Sequence, residues 1–144
     1  MRSCDTNILL YAMNADCREH ERASAYLTEA AGDASFAICE LVLMELYVLL
    51  RNPAVVRSPL SAREAVDVVL QYRRNPRWAV IDYPGGLMTE IWSRASAVSF
   101  PRRAVIDARL AYTLRHHGVR EFATRNTRDF EGYGFERLVN PLAD

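Results

Sequence analysis

The fold class of this chain is decided by one stretch of sequence, Phe36-Ala-Ile-Cys-Glu-Leu-Val-Leu-Met-Glu-Leu-Tyr-Val-Leu-Leu-Arg51. It begins with a short apolar run at residues 36–38, which is typical of a strand, and continues as a strongly apolar helix over residues 41–51. Asn52-Pro53 then ends the helix, because a proline disfavours helical backbone in the residue before it. A buried strand that is followed directly by an apolar helix indicates an α/β fold.

The same alternation of strand and helix continues on both sides of this stretch. Further short strands are predicted up to Asp5 and over residues 78–81, 121–123 and 137–139. Helices are predicted over residues 7–14, 18–31, 61–74, 87–99 and 101–117, with Gly118 as a left-handed cap of the last one. This order favours one α/β domain over residues 1–144, with a parallel sheet between two layers of helices. Ligand sites in such sheets form beyond the carboxyl ends of the strands.

Composition excludes several function classes. The 144 residues include 18 basic and 18 acidic side chains, so the net charge is zero and any contact with RNA or DNA has to come from local arginine clusters. Every basic residue is arginine, which excludes Schiff-base chemistry, a Walker A loop and other sites that need lysine. The three cysteines form no disulfide framework, and no signal peptide or membrane-spanning run is apparent, so we expect a cytoplasmic protein with no membrane contact.

Glu45 is the clearest of four carboxylates in unexpected places. It is the only charged residue between Leu41 and Leu50. Burying a lone carboxylate costs several kcal/mol unless it is paired, protonated or bound to a cation. The ordinary alternative is that Glu45 marks a narrow solvent-facing line on the helix.

The other three acids lie at the ends of predicted strands or at a helix start. Asp107 lies at the start of a helix on its apolar face, although Asp is also common in first turns because it interacts favourably with the helix dipole. Asp5 ends the first strand, where it could simply be a helix N-cap. Asp129 follows a strand and could be a solvated loop residue. Because the loops of a parallel sheet gather at one edge, we expect these acids to converge there.

Four carboxylates in one pocket require a counter-charge, since like charges raise each other's pKa. The natural one is a hard divalent cation, Mg²⁺ or Mn²⁺, which prefers oxygen ligands and can activate a water for attack on a phosphate. Other acid-based sites lack their motifs: position 7 is Asn where a haloacid-dehalogenase phosphatase has Asp, and no Gly-x-Gly-x-x-Gly or nucleophile elbow is present.

Four blocks of sequence resemble PIN-domain ribonucleases, specifically VapC-type toxins of type II toxin–antitoxin systems. They are Asp5-Thr-Asn-Ile-Leu-Leu-Tyr-Ala12, Leu43-Met-Glu-Leu-Tyr-Val-Leu-Leu-Arg-Asn-Pro53, Ile106-Asp-Ala-Arg-Leu-Ala111 and Thr124-Arg-Asn-Thr-Arg-Asp-Phe130. They follow the family's order and span essentially the whole chain. The resemblance implies a PIN-like three-layer sandwich whose central parallel sheet has about five strands.

The resemblance also implies an activity, that of a Mg²⁺-dependent endoribonuclease with possible use of Mn²⁺. Asp5 and Asp107 would be direct metal ligands, and Glu45 would complete the acidic cluster. Asn126 stands where many relatives have a fourth acid, and the nearby Asp129 is a candidate to replace it in catalysis. The residues expected to support the carboxylates or waters are Thr6, Asn7, Thr124 and Asn126.

The partners implied are an RNA substrate, either tRNA or another structured RNA, a cognate antitoxin that covers the acidic pocket with a basic side chain, and a second copy in a homodimer. The helices at residues 7–14 and 41–50 could supply an interface, but plain core is the favoured interpretation. The alternative function is a catalytically inactive PIN-like binding module, since position 126 is not acidic. The arginines expected to contact RNA, by proximity in sequence, are Arg102, Arg103, Arg125 and Arg128.

Overall fold

The computed structural model describes all 144 residues. Five three-residue strands alternate with six α-helices, and a 3-10 helix precedes the last strand. The elements are β1 (Arg2–Cys4), α1 (Thr6–Met13), α2 (His20–Ala30), β2 (Ala37–Cys39), α3 (Glu40–Leu50), α4 (Ala62–Arg73), β3 (Ala79–Ile81), α5 (Leu87–Ala95), α6 (Ala104–His116), β4 (Glu121–Ala123), the 3-10 helix Thr127–Phe130 and β5 (Arg137–Val139). The predicted parallel α/β architecture is confirmed.

The five strands are not one continuous hydrogen-bonded sheet. Strands β1, β4 and β5 form a parallel three-stranded sheet in that order, and β2 pairs with β3 in a parallel two-stranded sheet. The two parts meet at a single bridge between Arg2 and Phe36, where the Arg2 N–H donates to the Ser35 carbonyl at 3.0 Å. This link lies at the amino ends of β1 and β2, and no further backbone pairing joins the carboxyl ends of these two strands.

The winding of the chain determines where a site can form. From β1 the chain passes to β2 and β3 on one side, and it then returns to β4 and β5 on the other. The winding therefore reverses between β1 and β4, and crevices at such reversals are where open α/β sheets bind ligands. Asp5 and Thr124 are the residues that directly follow these two strands.

The hydrophobic core takes in most of α1 and one side of α3. Ile8 and Leu9 of α1 are fully buried, so α1 is core, as favoured from sequence. On α3 the exposed positions are Met44 and Val48, with 62% and 61% of their surface accessible. The solvent-facing line of α3 is therefore apolar, and Glu45 lies at its edge, partly buried.

Several predicted boundaries need correction. The bounds predicted for β4 and β5 are confirmed, as is the capping box between Ser61 and Glu64 that opens α4. However, α5 ends at Ala95 and α6 begins only at Ala104, because the residues between them form a series of turns. Gly118 directly follows the C-cap residue of α6 and has a φ of +85°, which is the left-handed cap that was predicted. The longest helix, α6, has 13 residues, and no helix has the length and hydropathy of a membrane span.

Candidate active site

Asp5 links the end of β1 to the start of α1. Its N–H donates to the carbonyl of Ala123 at 2.8 Å, which extends the β1–β4 pairing by one residue. Its carboxylate caps α1 by accepting from the Thr6 N–H at 2.8 Å, and its Oδ2 accepts from the Thr124 hydroxyl, also at 2.8 Å. The N-cap predicted as an alternative role is therefore real, and it holds the carboxylate at the β1–β4 reversal.

The residues expected to support Asp5 do so in different ways. Thr124 is fully buried and orients the carboxylate with its hydroxyl, and the Asn7 amide lies 3.5 Å from Asp5 Oδ2. Thr6 contributes only its backbone N–H. Its hydroxyl donates to the carbonyl of Val42 at 3.5 Å, because the side chain is buried against α3. The expectation that the Thr6 hydroxyl orients a carboxylate is wrong.

Glu45 projects from α3 toward the same place. Burial is the main reason that its pKa rises to about 7, and the charges of Asp5 and Asp107 add to it. Its side chain forms no ion pair within 4 Å. Glu45 therefore lies between the two interpretations: it borders the solvent-facing line of α3 and is partly buried beside Asp5 and Asp107.

Asp107 lies in the first turn of α6. Burial, followed by the charges of Asp5 and Asp129, raises its pKa to about 6. Burial also raises the pKa of Asp5, to which Asp129 adds, while the hydrogen bonds from Thr124 and Thr6 oppose the rise. Four acids from four separate segments thus lie near one another, because the charges of Asp5, Asp107 and Asp129 act on the pKa values of their neighbours in the site.

This acidic cluster, defined as Asp5, Glu45, Asp107 and Asp129, has no cationic side chain to balance it. None of its members takes part in any of the chain's ion pairs. No three acidic, histidine or cysteine side chains are close enough together to hold a metal ion in their present positions. The all-oxygen donors and the excess negative charge fit Mg²⁺ or Mn²⁺.

Asp129 and Asn126 were both candidates for the fourth position of the cluster. Asp129 lies in the 3-10 helix that follows β4, and it lines a cleft together with Asp107. Asn126 is exposed, and its side chain forms no hydrogen bond; only its backbone N–H donates, to the Thr124 hydroxyl at 3.1 Å. Of the two, the structure brings Asp129 to the other acids.

The four arginines expected near RNA separate into two groups. Arg103 and Arg128 line the cleft that contains Asp107 and Asp129, whereas Arg102 is exposed outside it. Arg125 is directed to α1 instead. Its guanidinium hydrogen-bonds the Tyr11 hydroxyl, lies 5.4 Å from the centre of the Tyr11 ring and is 3.6 Å from Glu19.

Two aromatic residues of this cleft were missed by the sequence analysis. Phe100 and Tyr133 also line it, together with the two arginines and the two acids. The available signal was local: Phe100 stands two residues before Arg102-Arg103, and Tyr133 follows the Arg128-Asp129-Phe130 segment. Arginine side chains combined with aromatic rings are typical of surfaces that bind single-stranded nucleic acids.

The PIN domain family model matches residues 3–136 of the chain. The chain belongs to the PIN domain family. It is 56% identical over 142 residues to Ribonuclease VapC24 of Mycobacterium tuberculosis (strain ATCC 25618 / H37Rv), an alignment that covers 99% of this chain and 97% of that protein. The resemblance to VapC-type PIN proteins noted in the sequence is thereby confirmed.

Solved structures of other PIN proteins share the fold. VapC20 of Mycobacterium tuberculosis, described as a sarcin–ricin loop cleaving toxin, superposes with a TM-score of 0.69 at 19% identity, over 94% of this chain and 96% of that one. A toxin–antitoxin complex from Klebsiella pneumoniae contains a chain that superposes with a TM-score of 0.58 at 21% identity, with 98% of both chains covered. At these identities the similarity shows the fold alone.

Proposed function

We propose that this PIN domain protein is a metal-dependent endoribonuclease and the toxin of a toxin–antitoxin pair. One observation carries the proposal: the acidic cluster lies at the β1–β4 reversal, and none of its carboxylates is within 4 Å of a guanidinium group, although the chain has 18 arginines. The 56% identity with Ribonuclease VapC24 supports RNA as the substrate. Structured RNA, including tRNA, is the substrate class that we propose.

In this proposal Asp5, Asp107 and Glu45 hold a Mg²⁺ or Mn²⁺ ion. A divalent cation in such a site supplies a Lewis acid that polarises a water and the phosphate of a phosphodiester. Asp5 is oriented for this role by the Thr124 hydroxyl and the Thr6 N–H. Asp129, which is exposed at the mouth of the cleft, adds a fourth carboxylate.

A carboxylate of the acidic cluster is the proton acceptor in this proposal, because an ionised carboxylate within reach of the attacking water acts as a general base. We propose that this carboxylate accepts one proton of the attacking water as the bond between phosphorus and the 3′ oxygen breaks, and that the 3′ oxygen takes up a proton from solvent. The products are then a 5′-phosphate and a 3′-hydroxyl.

The test is RNA cleavage by the purified chain free of any partner. Structured RNA is incubated with the wild type in Mg²⁺ and in EDTA, beside Asp107→Asn and a control, Asp67→Asn, at an exposed position of α4 that pairs only with Arg63. We expect the wild type and the control to cleave RNA when Mg²⁺ is present and not in EDTA. Cleavage that survives EDTA and Asp107→Asn contradicts metal dependence, and no cleavage of any RNA with normal growth on expression favours the inactive binding module.

We also propose that a cognate antitoxin covers the acidic cluster with a basic side chain, and that the chain forms a homodimer in the cytoplasm as a single domain. The apolar surface of Met44 and Val48 on α3 would be covered in such a homodimer. Size-exclusion chromatography with light scattering tests the second point. A monomer mass at tens of micromolar protein contradicts it.

A further inference from the structure

The cleft beside α6 is lined by two chemically different sets of side chains. Its space is about 730 Å³, within the roughly 300–1,000 Å³ range of pockets that hold small ligands. The first set is Asp107 and Asp129 of the acidic cluster. The second set is two arginines and two aromatic residues, and nothing in the proposed hydrolysis uses those four side chains.

The two arginines of the cleft are available to an anion. Arg103 ends the turn before α6 and Arg128 belongs to the 3-10 helix, and both are exposed. Neither guanidinium forms an ion pair, in contrast to Arg73 and Arg94, which pair with Glu40 and Glu90. Free guanidinium groups bind phosphate through two parallel N–H donors.

The two aromatic rings differ in how they are held. Tyr133 is fixed by an edge-to-face contact with Tyr112, at 5.2 Å between ring centroids, and packs against Phe130 at 6.4 Å. Phe100 is partly exposed and has no aromatic partner. Its backbone is restricted by Pro101 and by the hydrogen bond from its N–H to the Ala97 carbonyl at 3.0 Å. Phe100 therefore offers a free ring face in a defined place.

We infer that this cleft binds one unpaired nucleotide of the RNA next to the bond that is cut, with its phosphate at Arg103 and Arg128 and its base stacked on Phe100. The inference rests on the proposed ribonuclease function, because it places that nucleotide beside Asp107 and Asp129. Tyr133 forms the second aromatic wall of the cleft. A base within a duplex is covered on both faces and cannot stack on Phe100, so the cleft selects unpaired positions.

The test measures binding apart from catalysis. A single-stranded hexaribonucleotide that carries 2-aminopurine is titrated with protein in EDTA at low salt, because stacking on an aromatic ring quenches this base. We expect quenching by the wild type. Phe100→Leu, which keeps an apolar side chain without a ring, should remove the quenching and weaken binding about 10-fold. Annealing the probe to its complement should weaken binding by wild type to a similar extent.

The arginines are tested through the salt dependence of binding. Arg103→Gln and Arg128→Gln should each reduce the slope of log K against log salt by about 0.7, the value for one phosphate contact on a single strand. The matched controls are Arg77→Gln, at an exposed arginine outside the cleft that forms no ion pair, and Trp92→Leu, which removes an aromatic ring with 60% of its surface exposed on α5. Both controls should bind and quench as the wild type does.

The outcomes separate this inference from the proposed function. If wild type cleaves RNA in Mg²⁺ but the Phe100, Arg103 and Arg128 variants bind and quench like the wild type, the cleft is not a nucleotide site and the ribonuclease stands. Equal binding of the duplex probe overturns the selection of unpaired positions. A wild type that neither cleaves RNA nor binds the probe overturns both proposals.

Discussion

Replacing Glu45 by glutamine is expected to stabilise the protein in the absence of metal at pH 8. The pKa of Glu45 is raised from 4.5 to about 7 in the folded chain, mainly by burial and then by the charges of Asp5 and Asp107. A carboxyl group whose pKa is raised on folding favours the folded state when protonated. Its contribution is therefore fully present below about pH 4.5 and is lost as the pH rises through about 7. Glutamine has nearly the same shape and never ionises, so it avoids this loss.

The size of the effect follows from the shift in pKa. One pKa unit corresponds to about 1.4 kcal/mol, so a shift from 4.5 to about 7 sets an upper limit of about 3 kcal/mol. Glu45 is only partly buried, and solvent screens its interactions with the other acids. After that discount we expect Glu45→Gln to raise the free energy of unfolding by about 1–2 kcal/mol at pH 8. For a domain of this size, that is a rise in Tm of roughly 3–6 °C.

The assay is thermal unfolding of the wild type and the variant in EDTA at pH 5 and pH 8. The difference in Tm should be largest at pH 8 and small at pH 5, where Glu45 of the wild type is mostly protonated. Glu131→Gln serves as the control, because Glu131 is exposed and forms no ion pair, and its Tm should change by less than about 1 °C. A Glu45→Gln variant no more stable than the wild type at pH 8, or equally stabilised at both pH values, would refute the reasoning.

Addition of Mg²⁺ should reduce the difference between the two proteins. A cation that binds only the folded state stabilises it by RT ln(1 + c/Kd), where c is the free cation concentration and Kd is its dissociation constant. The wild type keeps all its carboxylates for such binding, and the variant has lost one. An unchanged difference in Tm at saturating Mg²⁺ would show that Glu45 does not contribute to cation binding.

Three further outcomes are expected. Asp107→Asn should lower the rate of RNA hydrolysis at least about 100-fold without lowering the Tm in EDTA, which separates loss of activity from loss of fold. Thr124→Val should lower the free energy of unfolding by about 1–3 kcal/mol in denaturant titrations, because the Asp5 carboxylate loses a buried hydrogen bond, and Thr124→Ser should restore most of it. The initial rate of RNA hydrolysis should rise between about pH 5 and 7, as Asp107 and Glu45 lose the protons that compete with a cation, and the rise should shift to lower pH as Mg²⁺ increases. A rate that is independent of pH over this range contradicts the last expectation.

The sequence predicts those parts of the fold that depend on neighbouring residues. Strands β4 and β5 were bounded correctly because each has a charged residue followed by two apolar ones between turn signals, and the capping box of α4 is a motif of four consecutive residues. The division of the sheet was not predictable, because it depends on how far β1 and β2 pair beyond Arg2 and Phe36. Pairing between strands more than 30 residues apart leaves no local pattern in a chain.

The candidate site shows the same limit. Glu45 stood out from sequence because a single acid in an apolar helix breaks a strong pattern. Sequence proximity could not separate Arg125 from Arg128, which are three residues apart. The structure separates them because Arg125 hydrogen-bonds Tyr11 on α1, whereas Arg128, which lies in the 3-10 helix, lines the cleft. Phe100 was missed because the turns between α5 and α6 that bring it to Asp107 have no regular periodicity.

Other acids of this chain are paired with arginine. The absence of such pairs in the acidic cluster is therefore informative about what the cluster binds. Arg2 Nε lies 2.6 Å from Asp33 Oδ2, and this hydrogen bond, with those from Ser35, lowers the pKa of Asp33 to about 2. Asp107 has arginines much nearer in sequence than Arg2 is to Asp33, but its pKa is raised to about 6. Arg109, two residues later, faces another side of α6 and stacks 4.0 Å from the centre of the Tyr83 ring, and Arg103, one turn earlier, makes no ion pair. Asp33 therefore stabilises the fold at pH values above about 4, whereas the destabilisation caused by Asp107 grows as the pH rises from about 4 to about 6 and is complete above that. Asp107 therefore destabilises the fold, and no arginine pairs with it although two lie nearby in the sequence. This is the pattern of a site that is completed by a charge from outside the chain, and it supports a divalent cation as that charge.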